Sequence, residues 1–335
     1  MARGPGKVDR ERVRSVPARA RASRVRTRDE GRPHRAGAPF AGFLADLPRI
    51  LAASELRAAI DAWSRAWRGG RLVVFGFGAH VIKVGLAPLL VDLLERGAIG
   101  ALATNGAACV HDLELAMMGR TSEDVAAALD RGTFGMARET AERLNRAIAE
   151  GASRGLGMGE SVGREILQGR GYPQRKRSVL AAAARLGIPV TVHVAIGGDI
   201  HHMHPSADGA ALGATSYRDF ETLAALVARL ERGVFLNVGS AVILPEVFLK
   251  ALALARNLGH RVERFTTVDL DFERHYRPRV NVVERPTRLG GRGISLVGHH
   301  EIMVPLLAAG VIEAEAASRA RGRTARPRRG GRARS

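Results

Sequence analysis

The stretch LVVFGFGAHVIKVGLAPLLVDLLERGAIGALATNGAACVHDLE, residues 72–114, decides the fold. An apolar run from Leu72 to Phe75 breaks at Gly76 and Gly78, and a helical pattern follows from Ala79 to Arg96. A second apolar run ends in Thr104, Asn105 and Gly106, where another helix begins. Strand, glycine turn and helix therefore occur twice in succession. Such a unit sets two helix N-termini, with their free N–H groups, beside the carboxyl ends of two parallel strands. That edge is where open α/β sheets bind nucleotides and small anions.

Outward from this unit the alternation continues. Upstream, Leu44, Leu47, Ile50, Leu51, Leu56, Ile60, Trp63 and Trp67 recur at helical spacing and predict a helical arm over 39–70. Downstream, TSEDV at 121–125 has the pattern of a capping box opened by Thr121 or Ser122. Residues 151–172 are punctuated by glycine and read as a mobile loop around a short helix, either a lid or an irregular connection. Strands are expected at 188–196, 234–238, 262–268 and 294–297, with helices at 178–186, 220–230, 245–258 and from Glu301. Alternation over about 240 residues implies a Rossmann-like, mainly parallel sheet with helices on both faces. The expected organisation is one such domain over 39–318, with disordered basic tails at 1–38 and 319–335.

The net charge of +19 belongs almost wholly to those tails. Residues 1–38 hold 12 Lys/Arg against 4 acids, and 319–335 hold 8 Arg and no acid, leaving 32 basic against 29 acidic residues between them. A weak electrostatic contact of the tails with nucleic acid fits this composition; a nucleic-acid-binding body does not. No run approaches the roughly 18 apolar residues of a membrane span. Cys109 is the only cysteine, which excludes an intrachain disulfide and fits a reducing, cytoplasmic setting.

Polar residues gather after the strands. They include Gly76, Gly78 and His80, then Thr104, Asn105, Gly106, His111 and Asp112, then Asp199, His201, His202 and His204. Gly239, Ser240, Thr266, Thr267, Asp269 and Asp271 follow, and finally Gly298, His299, His300 and Glu301. Since parallel strands end on one rim, these groups are expected to converge on it. Glycines and hydroxyls there suit a dinucleotide, although GFGAHV is not the full GxGxxG fingerprint. His202, His299 or His300 is expected to act as base, with Asp199 or Glu301 orienting it or binding a cationic small-molecule substrate. The alternative from another class is a metal-dependent hydrolase built on Asp199, His201 and His204. A third reading is a non-catalytic nucleotide-binding protein.

Several segments together resemble the deoxyhypusine synthase family: TNGAACVHDLELAMMGRTSEDV, the preceding GFGAHVIKVGLAPLL, the late TTVDLDFERHYRP and the terminal GHHEIMVPLL. Their order and spacing agree over roughly residues 70–310. The resemblance implies a Rossmann-like fold, a homotetramer with sites between subunits, and NAD as cofactor. It also implies a transferase that oxidises a polyamine and passes part of it on through a lysine imine. It further implies NAD contacts from Gly76, Gly78 and His80, from Thr104, Asn105, Gly106 and Asp112, from Thr266 and Thr267, and from Gly298 and His299. Departures accompany it. The family's lysine-bearing segment, RPDEAVSWGK, corresponds to RPRVNVVERP at 277–286, which puts Pro286 in the lysine's place, with Val280 and Glu284 where the polyamine-holding Glu and Trp stand. The family's catalytic histidine has no counterpart in NVGSAVILPE, 237–246. Of the four lysines, Lys83 alone is placed to form an imine. The expectation is thus an NAD-dependent enzyme of this type acting on an amine, and not a true deoxyhypusine synthase.

Overall fold

Short apolar runs closed by glycine or aspartate form six strands: β1 Val73–Phe77, β2 Ala101–Asn105, β3 Val190–His193, β4 Val234–Val238, β5 Thr266–Asp271 and β6 Arg292–Val297. They make one sheet in the order β3-β2-β1-β4-β5-β6, every neighbouring pair parallel. The computed structural model describes residues 8–324, with side chains as far as Ala320.

Helices cover both faces, as parallel strands require. In chain order they are α1 Phe40–Asp46, α2 Leu51–Arg68, α3 Ala79–Lys83, α4 Ala87–Glu95, α5 Gly106–Met118, α6 Val125–Asp130 and α7 Arg138–Ser153. There follow α8 Met158–Gln168, α9 Val179–Leu186, α10 Gly209–Val227, α11 Ile243–Asn257, the single turn α12 Tyr276–Pro278 and α13 His300–Thr324. Alternation along β1 divides the core. Val73, Phe75 and Phe77 point to the layer that includes α2, α4, α5, α9 and α13, whereas Val74 points to α10 and α11. Trp63, 1% exposed, anchors the arm by donating its indole N–H to the Ala98 carbonyl at 2.8 Å. The arm breaks at 47–50, where Pro48 cannot continue a helix, so α1 and α2 replace one long element.

Three local expectations need correction. Segment 151–172 is no loose lid: Met158, Val162 and Ile166 of α8 are fully buried. Its glycines sit where a Cβ would strike Ser161, Asp219, Val190 and Leu180, so they serve close packing. The cap of α6 is Asp124, which accepts Ala127 N–H at 3.2 Å, and Thr121 is left for another task. Finally, α13 continues through residues 319–324, assigned above to the tail. Residues 8–38 carry three short 3-10 turns with mostly exposed side chains; residues 1–7 and 325–335, where the rest of both tails falls, lie outside the described part.

Candidate active site on the strand rim

Between β1 and β4 the strand order reverses, and this switch point divides the rim. Gly78 closes β1 and Gly239 follows β4 with φ +66°. A Cβ on Gly78 would overlap the Gly239 carbonyl, so only glycine lets the two turns approach this closely. A Cβ on Gly239 would come within 2.9 Å of the His300 ring.

On the β1–β2–β3 side, Asn105 caps α5 by accepting Ala108 N–H at 3.1 Å. The Asp199 carboxylate lies against Gly106, where a Cβ would collide with it, and takes the Ala107 N–H. An acid of the protein's own thus sits at the α5 N-terminus, where the helix dipole favours an anion. Burial outweighs that backbone bond and pushes the Asp199 carboxyl up to about 6. Beneath it opens a cavity of about 450 Å³ whose lining includes Lys83, His111, Glu114, Met118, Phe134 and Asp199. Inside runs a chain of polar contacts. Thr121 Oγ1 donates to Glu114 Oε2 at 2.5 Å and meets His111 Nδ1 at 2.7 Å, while Thr140 Oγ1 donates to Glu114 Oε1 at 2.9 Å. Burial, then the charges of Lys83 and His80, lower His111 to about 4, so its ring is neutral at pH 7.

On the β4–β5–β6 side the residues are differently placed. The His300 ring is buried, 5.6 Å from the His80 ring and 5.9 Å from that of Phe272. Neither His300 nitrogen has a hydrogen bond, and Nε2 stands 3.6 Å from Asp271 Oδ1. Burial lowers the His300 pKa more than Asp271 raises it. The Phe272 and His299 rings are nearly parallel at 11° with centroids 6.3 Å apart, and both residues are exposed. Deeper, Asn237 bridges the Ser240 carbonyl and Asp269 Oδ1, whose carboxyl burial raises to about 6.

The expected site residues therefore fall into several groups. Gly78, His80, Gly239, Gly298, His299 and His300 meet around the switch point, with exposed Glu301 in the first turn of α13. Gly298 donates its N–H to the Asp271 carbonyl, which joins β6 to β5 there. Asp199 and His202 belong to the other half. His202 Nδ1 accepts Gly197 N–H and Asp199 N–H, so this imidazole folds its own loop, and its buried Nε2 makes no hydrogen bond but stands 3.9 Å from Asp199 Oδ2. Four of the expected cofactor residues are committed elsewhere. Gly76 lies inside β1, packed under Leu236 and Leu244. Thr104 donates to the Phe77 carbonyl at 2.8 Å, tying β2 to β1. Asp112 is buried and caps α9, accepting from Ser178 Oγ, Val179 N–H and Leu180 N–H. Asn105 is occupied as the α5 cap.

Thr266 and Thr267 are a plain correction. They open β5, opposite Val234 and Phe235 at the start of β4, and so stand at the edge away from the rim. The run 262–268 was read as the strand, but the strand is TTVDLD and ends on Asp269 and Asp271. The metal alternative finds no support either. His201 is buried with both nitrogens unpaired and lowered by burial to about 3; His204 bonds Ser206 at 2.8 Å. Among the described residues no three His, Cys, Asp or Glu side chains come together to hold a metal. Pro286, in the place of the family's lysine, has its carbonyl bound by Arg256, which also binds Val262 just before β5. Lys250 pairs with Glu246, whereas Lys83 is exposed and faces the cavity.

Glu114 and Thr121 escaped the reading of the sequence, and His111 was placed on the rim without a role. One signal was available: His111 and Glu114 are three apart on α5 and share a face.

No family model matches this chain, and comparison with the curated proteins returns no match. Solved structures do match. A putative deoxyhypusine synthase from Entamoeba histolytica superposes with a TM-score of 0.51 at 10% identity, covering 85% of this chain and 97% of that one. A conserved putative LOR/SDH protein from Methanococcus maripaludis S2 gives 0.50 at 15% identity, over 84% and 72% of the two chains. Unliganded AgrE gives 0.50 at 19%, covering 80% of this chain and 34% of AgrE, so the present chain spans about a third of that protein's length. The chain has the deoxyhypusine synthase-like fold. No helix among the described residues is long and apolar enough to cross a membrane.

Proposed function

We propose that this chain is an NAD-binding enzyme of the deoxyhypusine synthase-like fold that oxidises or transfers part of an amine substrate. The observation that carries the proposal is the switch point itself, where Gly78 and Gly239 leave no room for a side chain and thereby expose backbone at the crevice. The residues fit a dinucleotide unevenly. Gly78, His80, Gly239, Gly298 and His299 are suited to hold it, with Phe272 and His299 offering flat faces to a planar ring. At the α5 N-terminus the fit fails for phosphate, since Asp199 already occupies that place and would repel a second anion. The cofactor therefore belongs over β1, β4 and β6, and it supplies a hydride acceptor when bound.

Asp199 and the cavity suit the other reactant. A carboxylate beside an apolar lining of Met118, Val125, Phe134 and Ile200 favours a cationic amine on an aliphatic stem. An oligomer, tetrameric by resemblance, and a cytoplasmic setting belong to the same proposal. So does the single-domain reading of 39–318, with basic tails free to touch nucleic acid weakly.

Calorimetric titration of the full chain with NAD tests the reading. Saturable binding is expected, weakened at least tenfold by His80→Ala or Phe272→Ala, both of which alter exposed residues. Absence of heat up to millimolar NAD would overturn it. Binding without turnover of any amine would leave a ligand-binding protein of the same fold.

A further inference from the structure

We infer that His111 is the proton acceptor of the 450 Å³ cavity, held in one tautomer by Thr121 and Glu114, and that it serves a small ligand bearing an N–H or O–H group. The argument is an accounting of single protons. Glu114 accepts at both oxygens, from Thr140 and from Thr121. Thr121 has one hydroxyl proton and gives it to Glu114, so towards His111 its oxygen can only accept. His111 Nδ1 must then carry the ring proton of the neutral imidazole. Nε2 holds the lone pair, and it has no protein partner among the described residues on a ring that lines the cavity.

The order base, hydroxyl, buried carboxylate resembles in logic the way an acid orients a catalytic imidazole through its far nitrogen. When Nε2 takes a proton from the ligand, positive charge develops on the ring and is met by Glu114 through the Thr121 hydroxyl. The other titratable groups facing the site are Lys83 from α3, Arg120 and Glu123 from the segment before α6, and Asp199 from the loop after β3, with His80 of α3 close by. Burial, and then the charge of Lys83, keep His111 unprotonated before the ligand arrives, hence ready to accept. His111 touches the ligand; Thr121 and Glu114 are positioning residues.

This inference rests on the proposed function only for the nature of the ligand, and its first test needs neither NAD nor substrate. In full-length protein carrying ¹⁵N-histidine, two-bond proton–nitrogen correlation reads the tautomer of each ring, with His111 assigned by comparison with His111→Gln. At pH 7 His111 is expected as the Nδ1–H form; Thr121→Val should release that preference and Thr121→Ser should keep it. An Nε2–H ring in the parent protein would overturn the inference, as would a spectrum unmoved by Thr121→Val. With an amine that is turned over, His111→Gln should lower kcat about 100-fold or more with KM within threefold. A kcat within threefold of the parent would overturn the role, whereas lack of NAD binding would strike only the proposed function.

Discussion

The two halves of the rim start from the same material, histidines and aspartates placed after parallel strands, and finish in opposite states. On the β2–β3 half the groups that face the cavity are assigned, while His201 and one nitrogen of His202 stay buried without hydrogen bonds. Asp199 lies on a helix N-terminus, His202 closes its own loop, and His111 is keyed through Thr121 to Glu114. On the β4–β6 half, His300 is buried with neither nitrogen bonded, and Phe272 and His299 stand exposed beside it. A buried polar group without a partner costs about 1–3 kcal/mol, and both halves carry such imidazoles; on the β4–β6 half exposed rings stand beside one, where a ligand can reach it. The first half is ordered for chemistry and the second is open for binding.

The sharpest way to break this division is at its seam. Gly78→Ala drives a Cβ into the Gly239 carbonyl, a backbone atom with no rotamer to yield. The ordinary φ of −84° at Gly78 means that sterics alone are responsible. We expect a loss of about 3 kcal/mol of stability, at the upper end of small-to-large substitutions, measured by urea unfolding. An unchanged midpoint would mean that the two turns separate easily and that the seam is soft.

The buried titrating groups permit a second test. Burial raises Asp199 to about 6, Asp219 to about 7 and Asp269 to about 6 from an ordinary 3.8. Each binds its proton more tightly in the folded chain, so its stabilising contribution is complete below 3.8 and is lost as pH rises to 6 or 7. His111 and His193 are lowered to about 4 and His201 to about 3, from 6.5. Their contribution is complete above 6.5 and is lost as pH falls towards 4 or 3. Between pH 4.5 and 6.5, roughly, the two sets oppose each other and stability should be nearly flat. Asp219, which accepts Gly159 and Val192 N–H beneath β3, lies outside the cavity. Asp219→Asn should therefore tilt the profile so that stability rises with pH, by up to about 1.4 kcal/mol per unit. A profile still flat after the substitution would show that Asp219 does not titrate in this range.

The strand–glycine turn–helix unit was legible in residues 72–114 because glycines after apolar runs have few structural meanings, whereas the approach of Gly239 to Gly78 was not. The succession of strands is legible as well, although β5 lies later than the pattern at 262–268 indicates: it begins at Thr266 and runs through Asp269 to Asp271. Buried aspartates at strand ends, Asp269 and Asp271, look like loop residues in a sequence and become strand residues only when Asn237 and backbone N–H groups receive them. The same limit applies to Asp112. Its sequence position matches a cofactor contact, yet its carboxylate is consumed by α9, which begins more than sixty residues later. Density of histidine marked the rim; which imidazole was free depended on hydroxyls such as Thr121 that sequence spacing assigned to a helix cap.

The smallest effect separates the two halves most cleanly. Gly106→Ala also places a Cβ where an atom already stands, but that atom is the Asp199 carboxylate on a loop after β3 rather than backbone. The side chain and its short 3-10 turn, Ile200–Met203, can move aside, so the stability cost should be about 1 kcal/mol. What should change is the cavity. Displaced from the α5 N-terminus, Asp199 loses the Ala107 N–H and its place in the cavity lining, and amine affinity should fall at least tenfold while NAD affinity stays within twofold. Equal losses of both would mean that the rim is one continuous site, with the cofactor reaching β2 after all. Loss of amine alone would mean that the acid-lined chamber and the glycine seam act as separate compartments, with α3 carrying His80 to one and Lys83 to the other.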